Sequence, residues 1–319
     1  MATVSLQQLK QRAEQVYQVI SPTPQIQWPL LSRRAGCEVW LKHENHNPTG
    51  SFKVRGGLIY FSNLKKAQPG VEGVIAATRG NFGQSVAYAA SRLGLASVVV
   101  VPEGNSPDKN RAMASLGAEV VTAGRDFDES VELAKQLAAD RGLHLMPSFH
   151  KDLMLGVGSY ALELFEALPN LDRVYVPIGL GSGICGTISA RNALGLTTEI
   201  VGVVSENANA YQLSFTSGTV TSTDSANTLA DGLAVRIPNA EALELILANV
   251  SRIVAVSEKE ILQAIQTLFV DTHNVAEGAG AAATAAILKE HQINKGRRVA
   301  SILSGGNIHK SLFIQALAE

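Results

Sequence analysis

Residues 74–101 read VIAATRGNFGQSVAYAASRLGLASVVVV, and this stretch decides the fold class. Val74–Thr78 is a short apolar run, Gln84–Leu93 has helical spacing and length, and Ser97–Val101 is a second apolar run. Neither run alternates with polar residues, which is the mark of strands covered on both faces. A strand, a turn (Arg79 to Gly83), a helix and a strand form a crossover unit with parallel strands.

Outward from this unit the alternation continues. Downstream come helix Asp108–Leu116 opened by Ser106-Pro107, strand Glu119–Thr122, helix Asp126–Arg141, a short piece near Leu145 and helix Leu153–Leu168. It resumes with strand Arg173–Pro177, helix Gly183–Leu194, strand Glu199–Ser205 and a polar loop Ser217–Ala226. Strand Ile253–Val256, helices Glu258–Thr272 and Gly278–His291, strand Arg298–Leu303 and helix Ile308–Leu317 complete it. Upstream, Ser5 caps a helix with Leu6, Leu9, Ala13, Val16 and Tyr17 on one face, and Glu38–His43 is a strand. The pattern predicts an α/β protein with two open, twisted, mostly parallel sheets flanked by helices. The 319 residues exceed the ~250–300 of a single core, so two domains are expected. The break falls near Ser148–Lys151. Residues 48–150 are expected to form the smaller domain, and residues 1–47 and 151–319 the larger one.

Composition narrows the function. Hydrophobic residues at 46% with charged ones at 17% exclude a disordered chain. Lys plus Arg total 27 against 28 acidic residues, so no basic field exists for nucleic acid or an anionic membrane. No apolar run reaches membrane length, and the N-terminus lacks a signal peptide's apolar core. Two cysteines, Cys37 and Cys185, with no CxxC fit a reducing cytoplasm. The seven histidines lack metal-ligand spacing and are expected at the surface or behind the site.

Two segments carry chemistry by themselves. In Thr49-Gly-Ser-Phe-Lys-Val-Arg-Gly-Gly57 a turn leads into a helix with Lys53 in its first turn. The helix dipole and burial both lower an amine's pKa there, and a neutral amine is what carbonyl chemistry needs. Phe52 supplies an apolar face for a flat ring. In Pro177-Ile-Gly-Leu-Gly-Ser-Gly-Ile-Cys-Gly186, glycines precede a helix N-terminus, the usual setting for an anion. Three readings remain open for it: the phosphate of a small cofactor, a dinucleotide read by Gly181–Gly186 with Glu206 one strand on, or a structural turn.

Ser51-Phe52-Lys53 with Arg55-Gly56, then Arg79-Gly80-Asn81-Phe82-Gly83-Gln84, then the glycine turn, then Ser304-Gly-Gly-Asn307, occur in that order. Together they resemble the serine/threonine dehydratase family of pyridoxal-phosphate enzymes, of the tryptophan-synthase-β-like fold (fold type II). The resemblance runs from about Pro22 to the C-terminus. It implies pyridoxal 5'-phosphate as cofactor, with Lys53 as the Schiff-base lysine and the base for the α-proton. It places Gly179, Leu180, Gly181, Ser182 and Gly183 on the phosphate, with Leu180 and Ser182 standing where the family has glycines. It places Phe52 and Asn81 on the ring, Asn81 at the ring hydroxyl. Ser304 would face the pyridine nitrogen, where a neutral hydroxyl limits carbanion build-up. Thr78, Arg79, Gly80, Asn81 and Phe82 would hold the substrate. Glu277 matches an acid near the cofactor but is equally an ordinary helix-start residue, and Asp231-Gly232 match a structural loop.

Three departures refine the expectation. Arg79 stands where racemases of this fold have a serine, and a guanidinium is a poor base, which favours elimination over racemisation. Phe82 replaces a common histidine, and Thr78–Ser85 points towards the phenylserine and hydroxyectoine-utilisation dehydratases. Val204 occupies the place of an acid that binds a divalent ion in some relatives, so no metal is expected. With no regulatory extension after residue 319, the resemblance is to catabolic forms. The expected activity is dehydration and deamination of a β-hydroxy-α-amino acid (L-threonine, L-serine or a bulkier, phenylserine-like one) to a 2-oxo acid and ammonia, by a cytoplasmic homodimer. The alternatives are a racemase of the same fold and a nicotinamide-dependent oxidoreductase using Gly181–Gly186.

Overall fold

A computed structural model describes residues 4–125 and 127–318. Its strands are β1 (Gln25–Gln27), β2 (Glu38–His43), β3 (Gly73–Ala77), β4 (Ala96–Val101), β5 (Glu119–Thr122), β6 (His144–Leu145), β7 (Arg173–Pro177), β8 (Glu199–Ser205), β9 (Arg252–Val256) and β10 (Arg298–Leu303). Its helices are α1 (Leu6–Tyr17), α2 (Pro29–Ala35), α3 (Lys53–Ala67), α4 (Asn81–Ser91), α5 (Pro107–Ser115), α6 (Phe127–Arg141), α7 (Lys151–Ala167), α8 (Ser182–Ala193), α9 (Ala210–Ser217), α10 (Ala240–Asn249), α11 (Glu258–Thr272), α12 (Gly278–Lys289), α13 (His291–Asn294) and α14 (Lys310–Ala318).

The strands form a six-stranded sheet, β1-β2-β10-β7-β8-β9, and a four-stranded sheet, β5-β4-β3-β6. All pairings are parallel except β1 with β2. The α/β fold with two mostly parallel sheets is therefore as the alternation predicts. Every residue of β3 is buried, as expected of a run without polar alternation.

Several elements differ from the expectation. β1 is an edge strand of sequence Gln-Ile-Gln, with no apolar signal to mark it. Helices α2, α9 and α10 were not expected. α4 starts at Asn81, not Gln84, because Thr78 Oγ1 accepts from the N–H groups of Gly80 and Gly83, both at 3.0 Å. That satisfies a first-turn donor and lets the helix begin early. The helix expected from Gly278 to His291 ends at Lys289, and a separate short turn follows. α14 starts at Lys310 instead of Ile308. Asp126, the expected start of a helix, lies outside the described residues. Among those residues no helix is long and apolar enough to cross a membrane. One histidine departs from the surface expectation. His43 is buried, accepts from Trp28 Nε1 at 3.0 Å and stacks on His46 at 4.9 Å. Burial, then His46, pushes its imidazole down to about 4, so it is neutral.

Two features hold α3 in place. The first is a close crossing with α7. A Cβ on Gly156 would stand 2.3 Å from the Arg55 carbonyl oxygen, and one on Gly56 would stand 2.8 Å from that of Leu153. Side-chain-free positions let the two backbones touch. Gly156→Ala should cost about 1–3 kcal/mol, the range for overpacking, and a urea melt would read it. The second is a buried ionic cluster. Arg55, wholly buried, donates to Glu44 from Nε (2.7 Å) and Nη2 (3.0 Å), and to Glu163 from Nη1 (2.6 Å). Lys42, also buried, donates to Glu163 at 2.6 Å. The cluster joins α3 to β2, to the turn after it and to α7.

Candidate active site

The turn before α3 is strapped to the end of β10. Phe52 N–H donates to the Ser304 carbonyl (3.1 Å), Gly306 N–H donates to the Gly50 carbonyl (2.9 Å), and Ser51 bridges Gly305. These bonds bring Lys53 and Ser304, far apart in sequence, to one place. Lys53 is the first residue of α3, with Nζ 5.3 Å from the Phe52 ring centre. Among the described residues its Nζ has no hydrogen-bond or ion-pair partner, while its backbone carbonyl accepts from Ser85 Oγ at 2.7 Å. Burial holds its pKa below the usual lysine range, and Glu277 only partly opposes this.

Lys53 opens into a cavity of about 240 Å³ between the loops of the two sheets. Thr78, Arg79, Gly80, Asn81, Phe82 and Leu180 line it too, so all five expected substrate residues share the wall with the lysine. Arg79 is exposed there and, among the described residues, has no hydrogen-bond or ion-pair partner. Asn81 donates to a Glu277 carboxylate oxygen and accepts from Asn307 Nδ2 (2.8 Å), which fixes which way the amide faces. Glu277 lies in the cavity wall, nine-tenths buried, which exceeds an ordinary helix-start role. Burial raises its pKa, against Lys109, the Asn81 hydrogen bond and, to a smaller extent, Lys53.

Phe52, Gly179, Gly181, Ser182, Gly183 and Ser304 do not line this cavity; Gly183 and Ser304 lie against Phe52, the residue before Lys53. Gly181, at φ 107°, is the residue before α8, a backbone shape that L side chains rarely adopt. A Cβ on Gly179 would lie 2.3 Å from the Gly232 carbonyl oxygen, and one on Gly183 would lie 3.6 Å from Phe52 Cζ. Tyr160 donates to the Gly183 carbonyl at 3.0 Å and meets the Phe52 ring edge to face at 6.0 Å. The glycine turn and the lysine turn are thus neighbours through one aromatic ring.

Sequence reasoning missed Lys109 and assigned Asp231 a structural role. Both line the cavity, paired at 2.7 Å, Lys109 from α5 and Asp231 from the loop before α10. Burial alone would lower the Lys109 pKa, but Glu277 and Asp231 outweigh it and hold the ammonium above its usual range. Lys109 carries the signal that singled out Lys53, a lysine in a helix's first turn. Glu206, the acid of the dinucleotide reading, is engaged with Lys289 at 3.2 Å.

Pyridoxal phosphate needs an uncharged amine, a donor-rich anion cradle and an apolar face for its ring. An unpartnered Lys53, a glycine turn opening a helix whose first N–H groups lack intrahelical partners, and Phe52 between them meet those needs.

Comparison with known proteins agrees. Residues 16–305 match the family described as "Pyridoxal-phosphate dependent enzyme". The chain is 35% identical over 306 residues to L-threonine ammonia-lyase of Thermotoga maritima, covering 96% of this chain and 76% of that one. Among solved structures, processed threonine deaminase isoform 2 of Solanum lycopersicum superposes with a TM-score of 0.90 at 29% identity, covering 99% of this chain and 94% of that one. A pyridoxal 5'-phosphate-dependent aspartate racemase superposes at 0.91 with 27% identity, covering 98% of each. The cofactor is accordingly pyridoxal phosphate, and the dinucleotide reading of Gly181–Gly186 lapses. The chain belongs to the pyridoxal-phosphate dependent enzymes, as a homologue of the threonine ammonia-lyases.

Proposed function

We propose that the chain dehydrates and deaminates a β-hydroxy-α-amino acid to a 2-oxo acid and ammonia, with L-threonine, L-serine and phenylserine-like compounds as the substrate class. The observation that carries this is Lys53, an unpartnered amine with a lowered pKa, in one cavity with residues 78–82 and one ring away from the glycine turn. When bound, pyridoxal phosphate supplies a sink for the electron pair left on Cα. Lys53 Nζ takes the α-proton, and Asn81, oriented by Glu277 and Asn307, presents its amide to the reacting end of the cavity. Ser304 would face the pyridine nitrogen with a neutral hydroxyl. The N-terminus of α4 holds the substrate carboxylate.

Phe82, Phe127, Val235 and Ile237 make part of the wall apolar, which suits a side chain larger than a methyl group. The wall draws on both parts of the chain: Lys53, residues 78–82, Lys109 and Phe127 from 48–150, and Leu180, residues 231, 232 and 234–237 and Glu277 from the remainder. Closure of 48–150 over substrate follows naturally from that division. The same reading expects a cytoplasmic homodimer. Racemisation is disfavoured because Arg79, at the cavity wall, cannot act as a second base at neutral pH.

The test is a panel of β-hydroxy amino acids incubated with purified, cofactor-loaded protein, scored for oxo acid and ammonia. Release of neither from any member overturns the reading. Arg79→Ala should alter the ranking of the panel, changing relative kcat/KM between bulky or acidic and small substrates by about tenfold, a loss of one exposed charge contact. Equal loss across the panel would remove Arg79 as a specificity residue.

A further inference from the structure

Many of the polar groups on the wall of the lysine cavity are engaged with one another. Lys109 is paired with Asp231, Glu277 accepts from Asn81, and Thr78 Oγ1 accepts from two backbone N–H groups. The side chains left to meet a substrate away from Lys53 fall into two sets. Arg79, Ser148 and Arg236 are polar; Phe82, Phe127, Val235 and Ile237 are apolar.

Three of the apolar set are anchored. Phe82 packs against the cluster that holds Tyr60 and Val86, Phe127 against that of Ile75 and Val98, and Val235 against the core of the larger part. Ile237 joins none of these clusters and, at 62%, is the most exposed large apolar side chain among the described residues. Its exposure is not looseness. The Arg236 carbonyl accepts from Thr223 N–H at 3.0 Å, and Pro238 is buried. Asn239 N–H donates to Tyr211 Oη at 3.1 Å, and Tyr211 donates to the Leu180 carbonyl at 2.9 Å, which straps the loop to the glycine turn. A lone exposed isoleucine is ordinary on a protein surface. One pinned to the wall of the reactive lysine's cavity, with three other large apolar side chains on the same wall, is surface that a ligand can cover.

We propose that Phe127 and Ile237 select the substrate by its β-substituent, and that this substituent is apolar and larger than methyl, an aryl or branched alkyl group. The proposal rests on the dehydratase reading above and narrows its substrate class. Phe127 opens α6 and Ile237 precedes α10, so each of the two parts of the chain supplies one member of the pair. A charged substituent would lose water against these side chains, whereas a ring or a branched chain would take them out of water. Arg79 does not oppose this. A guanidinium offers a flat face for an aromatic ring as well as a charge for a carboxylate. The apolar set suits only the first of those guests.

The experiment gives cofactor-loaded wild type and variants L-threo-phenylserine, L-serine and L-threo-3-hydroxyaspartate. Wild type should have its highest kcat/KM with phenylserine. Ile237→Ala should lower kcat/KM by about tenfold or more on phenylserine and by under about threefold on L-serine, the scale on which apolar contacts discriminate. Ile237→Leu should recover most of the loss. Phe127→Leu, which keeps an apolar anchor in its core, should show the same selective defect. L-Phenylalanine and L-alanine carry no β-leaving group, so their titration, read by the visible absorption of the bound cofactor, reports binding without turnover. The preference for phenylalanine should shrink by about tenfold in Ile237→Ala. Thermal melts establish folding. Wild type that prefers L-serine or hydroxyaspartate, or variants that lose equally on phenylserine and serine or lose nothing, would overturn the assignment. Wild type that releases oxo acid from none of the three would instead overturn the dehydratase reading, and the phenylalanine-to-alanine ratio then decides the apolar subsite by itself.

Discussion

Lys53→Ala should lower turnover of every β-hydroxy amino acid by at least about 10³-fold, because one side chain serves both as the amine for a carbonyl and as the base for a proton. Lys109 cannot compensate, although it borders the same cavity. Its ammonium is tied to Asp231 at 2.7 Å and held charged by that acid and Glu277, whereas Lys53 has no such partner. Steady-state assays with L-threonine and the visible spectrum of the protein mixed with pyridoxal phosphate give the two readouts. The variant should fold, since the Lys53 side chain makes no hydrogen bond or ion pair among the described residues, and its backbone carbonyl, which accepts from Ser85 Oγ, is kept. Turnover within tenfold of wild type would remove Lys53 from the chemistry and return the cavity to an unassigned state.

The second large effect concerns stability. Arg55→Met should cost about 3–5 kcal/mol, the range for removing one partner from a buried ion pair. The guanidinium is wholly buried and reaches two carboxylates and the Ser159 hydroxyl, so its loss leaves Glu44 with hydrogen bonds from Thr23 Oγ1 and Asn47 Nδ2 but no cation, and leaves Glu163 with Lys42 as its cation. The pH dependence has a definite sign. Burial raises the Glu163 pKa, but Arg55 and Lys42 outweigh burial and leave it below the usual carboxylate value. Its stabilisation is therefore present above the unfolded-state pKa and lost as pH falls through the depressed one. In Arg55→Met that depression is weakened, so acid unfolding should begin at higher pH. Urea melts at neutral and mildly acidic pH would measure both effects. A change under 1 kcal/mol would mean that water or repacking replaces the guanidinium.

What could be read in the sequence divides along physical lines. Strands such as Gly73–Ala77 are buried on both faces and announce themselves by unbroken apolar runs. β1 is a three-residue edge strand held by pairing to β2, so its information lies in β2, not in Gln-Ile-Gln. Helix α10 had a legible signal, the Asn239 cap ahead of an apolar-periodic segment, and went unread. The same contrast holds in the site. Lys53 was legible because a lysine at a helix mouth is locally unfavourable and its neighbours in the chain are informative. Lys109 met the first criterion, but its partner Asp231 is 122 residues away, and Asn81 and Glu277 are 196 apart. Only the folded chain reveals such pairings.

Helices α3 and α7 meet through bare backbone at Gly56 and Gly156, and Gly186 of α8 would meet α7 in the same way, a Cβ there standing 2.9 Å from Gly158 N. This bears on anyone engineering a hardier catalyst. Replacing helical glycines by alanine is a common route to higher melting temperature, through a less free unfolded chain. At these three positions that recipe backfires, whereas Gly70, in open space and outside the left-handed region, is where it has room to succeed.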